Sequence, residues 1–390
     1  MDQRLNPYAP GAGRPPAALV GRDQQQQRWA VALDRIDAGR DAQPMVLYGL
    51  RGVGKTVLLS TMARTARDRD WMVVKLEAGA GFTLRAGLVD QLHAPLAERI
   101  RPNLGRRMLR ALKTALSFKA SVNQDGSWTF GVDLTETLGG GADTGDIELD
   151  LAKMLRDLAG AAREEGTGIA ILIDEAQDLA RDDLVAICAA AHEGSQEGWP
   201  VLFALAGLPS LPRILSEAKS YAERLFTYEP ISALAGWAAL AALTDPARLE
   251  GVEWEGDAVY HVVELTNGYP YFLQQYGQDI WATASGPPIT LRDAELGAAR
   301  AGRNLDNGFF RARWERATPA ERSYLRAMAE DHGETSQSGK IADRLVRKPT
   351  SLGPVRSKLI AKGLIYAPEH GKIAFTVPGM DQFINRQHEF

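Results

Sequence analysis

With 390 residues the chain is too long for one ordinary core and predicts two or three domains. Apolar and charged fractions of 45% and 24% exclude a disordered or fibrous chain, and a formal charge of −4 gives no global basis for nucleic-acid binding. Cys188, the single cysteine, excludes an internal disulfide or a cysteine-built zinc site; with no signal-type or membrane-spanning apolar run, a cytoplasmic protein without a membrane partner is expected.

Residues 1–22, rich in proline and glycine, predict an extended arm ending in Leu19-Val20-Gly21-Arg22. A helix is expected from about Asp23, with Asp23 as its cap and Trp29, Leu33 and Ile36 on one face. Pro44 to Tyr48 is an apolar run of strand type, Val57 to Ala66 has helical spacing, and Met72 to Leu76 is a second strand. This alternation predicts an α/β fold, a parallel sheet with helices on both faces. Residues 99–150 break the rhythm and read as an insertion. A basic stretch from Arg99 to Lys113 comes first. Phe118–Val122 and Trp128–Leu134 then flank Asn123-Gln124-Asp125-Gly126-Ser127 as a hairpin, and Gly139-Gly140-Gly141 follows. The core resumes with a helix near 147–165, a strand from Ile169 to Ile173 and a helix near 181–193. Strands from Val201 to Ala206 and around Arg224 to Tyr228 complete it. Residues 233–315 turn helical and predict a small lid, with Trp237, Trp254, Tyr260 and Trp281 in its core.

The chemistry is concentrated at two strand ends. Gly49-Leu50-Arg51-Gly52-Val53-Gly54-Lys55-Thr56 fits GxxxxGK[ST] in full, between a strand and a helix. Glycines let such a loop turn its N–H groups toward phosphates, and the following helix adds its positive end. Lys55 is expected to reach the β- and γ-phosphates of ATP, and the Thr56 hydroxyl to ligate Mg²⁺. Gly49, Gly52, Val53, Gly54 and Val57 complete the nucleotide-binding set, and Arg51 reads as surface. The buried-type strand Ile169 to Ile173 ends in Asp174-Glu175. Asp174 is placed beside the metal, and Glu175 to orient or deprotonate the attacking water.

Together the Val20-Gly21-Arg22 stretch, the phosphate loop, Ile173-Asp174-Glu175-Ala176-Gln177-Asp178-Leu179 and the C-terminal unit resemble the AAA+ P-loop ATPases close to origin-recognition and STAND proteins. The resemblance runs from about residue 6 to the end, with no counterpart for residues 99–150. It implies that Leu19, Val20 and Gly21 border the adenine. It also implies that Pro270, in Asn267-Gly268-Tyr269-Pro270, packs near the base. Ala206 to Leu211 would end the sensor 1 strand, although the usual polar residue is missing. No sensor 2 arginine stands between Tyr271 and Tyr276, which implies slow hydrolysis. Arg224 falls where such proteins carry an arginine finger acting on a neighbouring copy, which presumes an oligomer; a solvated arginine paired with Glu223 or Glu217 is the alternative.

The last unit has its own signature. Thr318-Pro319-Ala320-Glu321 is a capping box, Gly339 to Leu345 a second helix, and Thr350/Ser351 to Lys362 a third, closed by Gly363. Leu364–Tyr366 and Ile373–Phe375 then alternate around Glu369-His370-Gly371 as a wing. The string from Ser351 to Tyr366 resembles a winged-helix recognition helix with its first wing strand. From Arg316 onward 12 Lys and Arg stand against 8 Asp and Glu. Lys348, Ser351, Arg356, Lys358, Lys362 and Lys372 are the candidates for contact with double-stranded DNA.

The sequence thus predicts an arm at 1–22, a core at 23–232, a helical lid at 233–315 and a winged helix at 316–390. The function expected is an ATP- and Mg²⁺-dependent switch ATPase of slow turnover acting on DNA. The alternatives are a STAND-like switch whose winged helix packs internally and whose partner is a protein, or a nucleotide-binding scaffold without turnover.

Overall fold

Apolar runs of four to seven residues build four of the five strands of the sheet, and Thr227-Tyr228-Glu229-Pro230 adds the fifth at its edge. β1 (Met45–Tyr48), β2 (Met72–Glu77), β3 (Ile169–Asp174), β4 (Val201–Gly207) and β5 (Thr227–Pro230) pair in parallel in the order β2-β3-β4-β1-β5. The structure is a computed structural model and describes residues 1–79, 81–99, 106–120 and 142–387. All six residues of β3 are buried, as a parallel strand covered on both faces requires. Side chains of a strand alternate between faces, so Ile169, Ile171 and Ile173 enter one hydrophobic cluster while Ala170 and Leu172 enter another.

Helices cover both faces. α1 (Asp23–Asp37) and α2 (Lys55–Arg67) pack on the face of Ala170, Ala204 and Ala206. On the opposite face lie α3 (Leu84–Glu98), α4 (Arg106–Ala120), α5 (Ile147–Glu165), α6 (Arg181–Glu197), α7 (Leu211–Ala218) and the short α8 (Ala222–Leu225). Asp23 opens α1 in its first turn rather than capping it; the cap position is Arg22, without a side-chain cap bond. The expected strand at Arg224 begins only at Thr227, because Ala222 to Leu225 close a helical turn first. Phe118, expected in a hairpin strand, is buried in α4 among the sheet-face core. The rest of that hairpin and the glycine run at 139–141 fall outside the described residues.

After β5 come α9 (Trp237–Leu249), α10 (Gly256–Thr266), α11 (Pro270–Thr283) and α12 (Leu291–Asn304), with their own core. Trp254 and Trp281 are in it, but Trp237 and Tyr260 stand exposed at 64% each. The arm is not loose. Tyr8 is buried between Trp254 and Trp281, its hydroxyl donating to Leu243 O and accepting from Trp254 Nε1. A π-helical turn, Leu305–Phe310, and α13 (Arg311–Glu315) lead out of this layer.

The C-terminal unit follows: α14 (Pro319–Ala329), β6 (Ser336–Gln337), α15 (Ser338–Arg344), α16 (Pro349–Ala361), β7 (Ile365–Tyr366), β8 (Lys372–Phe375) and α17 (Met380–Asn385). β8 pairs antiparallel with both β7 and β6, so the expected two-stranded wing is a three-stranded sheet. The capping box forms as the sequence demands: Glu321 N–H donates to Thr318 Oγ1, and Thr318 N–H to Glu321 Oε2. This unit does not hang free. Its Ile365, Phe375 and Phe383 belong to the same hydrophobic cluster as Trp29, Val53 and Leu58. Among the described residues no helix is long and apolar enough to cross a membrane.

Candidate nucleotide site

β1 delivers the chain into Gly49–Thr56 at the carboxyl end of the sheet, beside the point where the strand order turns back, the usual seat of a ligand in an open α/β sheet. Two glycines there have a physical reason. A Cβ on Gly49 would lie 2.0 Å from Ile231 O, and Gly54 has φ 96° with nothing within 4 Å of where a side chain would begin. α2 starts at Lys55, so the unpaired N–H groups of its first turn face the loop's hollow. The Lys55 ammonium is buried and donates to Gly49 O and Leu50 O, each at 2.8 Å. Burial pushes it down to about 8, against the pull of Glu175 and Asp174, with Arg51 adding to the fall.

The two strand ends meet. Thr56 Oγ1 donates to Asp174 Oδ2 at 2.5 Å, and Asp174 Oδ1 accepts from the Glu175 N–H at 2.9 Å. A hydroxyl and one carboxylate form a hard, all-oxygen donor set. That suits Mg²⁺, which takes few protein ligands and fills its octahedron with phosphate oxygens and water. Among the described residues no cluster of three His, Cys, Asp or Glu offers a protein-only metal cage. Glu175 has φ 49°, in the left-handed region, and its Oε2 accepts from Gln177 Nε2 at 2.6 Å and from Arg51 Nη2 at 3.2 Å.

Around these groups opens a cleft of about 490 Å³. Five cationic side chains line it (Arg14, Arg22, Arg51, Lys55 and Arg313) against three carboxylates (Glu77, Asp174 and Glu175), an excess suited to a polyphosphate. The arm supplies one wall, from Ala9 to Val20. It is pinned at its far end by buried Arg22, which donates to Val53 O and Ser232 O. The lid supplies Pro270 and Tyr271, and the Tyr271 N–H donates to Gly52 O at 3.2 Å. Tyr271 stacks on Phe309, whose ring lies 3.8 Å from the Arg313 guanidinium carbon. Burial first, then the charges of Arg51 and Arg316, push Arg313 down to about 10.

Residues 18–204 match the AAA ATPase domain family. The chain carries an AAA+ P-loop ATPase domain. Residues 307–384, beyond that AAA+ domain, match a domain of unknown function (DUF8462). A Walker-type ATPase of Pyrococcus abyssi shares the fold, with TM-score 0.57 and 17% identity over 95% of this chain and 98% of that one. Two other similar structures are Cdc6p from Pyrobaculum aerophilum (TM-score 0.44, 14% identity, 99% and 97% covered) and the Aeropyrum pernix ORC1 protein in complex with DNA (0.43, 16%, 95% and 94%). Among curated protein sequences no relative matches. The match over residues 18–204 supports nucleotide binding and ATPase activity in general.

Of the residues singled out from the sequence, Leu19, Val20, Gly52, Val53, Gly54, Lys55, Thr56, Val57, Asp174, Glu175 and Pro270 converge on the cleft. Gly49 and Gly21 lie behind it, Gly21 with φ 68° against Ala238 and Leu234. Arg224 is exposed and away from the cleft of its own chain, without an ion pair among the described residues; the partners expected for it are not engaged, since Glu217 pairs with Arg213. Arg51, expected at the surface, is instead wedged against Glu175 and the C-terminal unit. Arg14, Arg22, Glu77, Gln177 and Arg313 were not anticipated. Arg22 and Glu77 carried a signal, standing beside Gly21 and at the end of β2 next to Asp174. Arg313 carried none, since only the π-helical turn brings it back to the loop.

The six DNA candidates are unequally placed. Lys362 bonds to buried Glu321 and to Arg316 O, Arg356 donates to Ser338 Oγ, Ser351 to Lys348 O, and Lys372 pairs with Glu369. Lys348 and Lys358 remain exposed, as does the neighbouring Arg347.

Proposed function

We propose that this chain is an ATP-hydrolysing switch in which nucleotide sits between the 23–232 core and the 233–315 lid, and its state is passed to a winged helix at 316–390. The observation that supports the reading is the bond from the Arg51 N–H, inside the phosphate loop, to Thr376 O of the C-terminal unit at 3.0 Å. A unit seated on the loop senses what the loop holds. Lys55 turns from the loop carbonyls to the β- and γ-phosphate oxygens. Thr56 and Asp174 hold Mg²⁺, which when bound neutralises charge on the phosphates. Glu175 takes the proton of a water whose oxygen bonds the γ-phosphorus as the bond to the ADP oxygen breaks. Arg313 stands in for the missing sensor 2 arginine, and Arg14 faces the phosphates from the arm. Gln177 bridges Glu175 to the Leu208 N–H (2.9 Å) at the end of β4, where a sensor 1 group is expected. Slow turnover fits a Glu175 already engaged by two donors. Arg224 would act on a neighbouring copy, so turnover per chain should rise with protein concentration.

The test is nucleotide binding and turnover in the full chain. Lys55→Ala should abolish ATP binding, whereas Glu175→Gln should keep binding and lose turnover. Equal turnover in Glu175→Gln and wild type would leave the scaffold reading.

DNA contact is the second reading, favoured by exposed Arg347, Lys348 and Lys358 at the start and end of α16. Anisotropy of a labelled duplex, in ATP and in ADP at two salt concentrations, decides it. Phosphate contacts make log K fall with log salt. No binding in either state leaves a protein as the partner.

A further inference from the structure

Arg51 stands where the phosphate loop, the acidic strand end and the C-terminal unit meet. Its guanidinium lies 3.2 Å from Glu175 Oε2, with the two side chains only 29% and 22% exposed. It also fills the space beside Gly363, where a Cβ would come within 2.9 Å of Arg51 Nη2. Its N–H is bonded to Thr376 O, and Thr376 Oγ1 in turn donates to Gly363 O at 2.8 Å. Arg51 is therefore gripped at backbone and side chain by one corner of the C-terminal unit, the turn after α16 and the end of β8. Its buried Nε has no partner among the described residues.

On the other side of the pair, Glu175 Oε2 already accepts from Gln177 Nε2 at 2.6 Å. An oxygen held by two donors, one of them cationic, is not free to turn toward a water. Arg51 is thus the link between where the C-terminal unit sits and what Glu175 can do.

We propose that Arg51 is a positioning residue that holds Glu175 in a resting orientation for as long as the C-terminal unit is seated on the phosphate loop. When the unit shifts, Thr376 and Gly363 release Arg51, and Glu175 turns to the attacking water. The inference rests on the ATPase reading above, and its test is built to fail separately from it.

Arg51→Gln in the full chain should raise kcat about five- to tenfold with KM for ATP within about twofold, the size of effect expected from freeing one ion-paired base. Arg51→Lys keeps a cation within reach of Glu175 and should return kcat toward wild type. Gly363→Ala drives a Cβ into the guanidinium from the C-terminal side and should reproduce the gain in kcat, with a lowered thermal midpoint because Gly363 has φ 64°. A readout free of nucleotide accompanies these. The thermal midpoints of Arg51→Gln, Glu175→Gln and the double variant should be non-additive in nucleotide-free protein. A fall in kcat with weakened ATP binding in Arg51→Gln would make Arg51 a phosphate ligand and overturn the proposal. Unchanged kcat, or additive midpoints, would overturn it as well. If wild type and Glu175→Gln turn over equally, the ATPase reading itself fails, while the midpoints still report whether the pair is coupled.

Discussion

Glu321 shows how a single residue can be claimed by two explanations and assigned to one by geometry. Its side chain is only 3% exposed and is held by Thr318 and by Lys362 Nζ at 2.6 Å. Burial alone would raise the carboxyl; the Lys362 ammonium and the bonds to Thr318 outweigh it and hold it below the ordinary glutamate value. Lys362, one of the basic residues that suggested DNA contact, is therefore a counter-ion first. Lys362→Met should cost about 1–3 kcal/mol of stability in chemical denaturation, less than a fully buried pair because the lysine is partly exposed. The pH dependence has a definite sign. A carboxyl whose folded value is depressed contributes stability that is present above its unfolded value, here 4.5, and lost as pH falls below it. Wild-type stability should thus decline below about pH 4.5, and the decline should be shallower in Lys362→Met. An identical acid limb in the two proteins would mean that Lys362 does not set the Glu321 charge. Lys55 follows the opposite logic. Because burial holds it near 8, ATP affinity should weaken as pH rises above about 8, where binding must first restore its proton.

At the scale of elements, the arm behaves as a strap rather than a tail. Trp281 Nε1 donates to Asp2 O, Asn6 Nδ2 to Gln278 O, and the Ala9 N–H to Gln274 Oε1, so the first nine residues lie along α11 before the chain crosses the cleft. A Cβ on Gly277 would lie 2.5 Å from the Tyr8 ring, which explains a glycine in the middle of that helix. Tyr8→Ala should cost about 3–5 kcal/mol in unfolding experiments, as expected for emptying a buried aromatic site. It should also speed ADP release in stopped-flow experiments, because the wall from Ala9 to Val20 loses its anchor. Tyr8→Phe should cost about 1–3 kcal/mol by leaving Trp254 Nε1 unpaired and removing the bond to Leu243 O. Nothing in the first 22 residues announces this role. The sheet, by contrast, was legible because four apolar runs alternate with helical ones, and the two acidic and glycine-rich strand ends carry their own spacing. Capping boxes and turn glycines likewise placed the C-terminal helices to within two or three residues. Those signals are local. Arg14, Arg313 and Tyr8 act through contacts between segments far apart in the chain, and residue spacing holds no record of them. Arg224 to Tyr228 misled for the reverse reason, since apolar Leu225 and Phe226 fit a strand while backbone bonds close a helical turn there.

For the whole molecule, the decisive feature is that the C-terminal unit has no core wholly its own. Its Ile365, Phe375 and Phe383 continue the cluster that backs the phosphate loop through Val53, Leu58 and Trp29, with Tyr269, Phe272 and Phe310 of the lid joining it. The aromatic contacts run without a break, Tyr271 to Phe309, Phe309 to Phe310, and Phe310 stacked on Phe383 at 5.5 Å between ring centres. Removing residues 317–390 would expose the loop-side half of that cluster to water at about 25 cal/mol per Å² of apolar surface. The shortened chain should then aggregate or unfold with a broad, low transition, while the full chain unfolds as one cooperative unit across the shared core. The same continuity predicts how nucleotide acts. Ligand that binds only the folded state adds about 2.7 kcal/mol at a hundredfold excess over Kd, and a shared core must distribute that gain. MgATP should therefore raise the midpoint of a fluorescent label at Val346→Cys in the C-terminal unit together with that of the core; Cys188 is buried and leaves the label selective. A C-terminal label whose midpoint ignores nucleotide, while the core midpoint moves, would show that the unit unfolds on its own and is uncoupled from the phosphate loop.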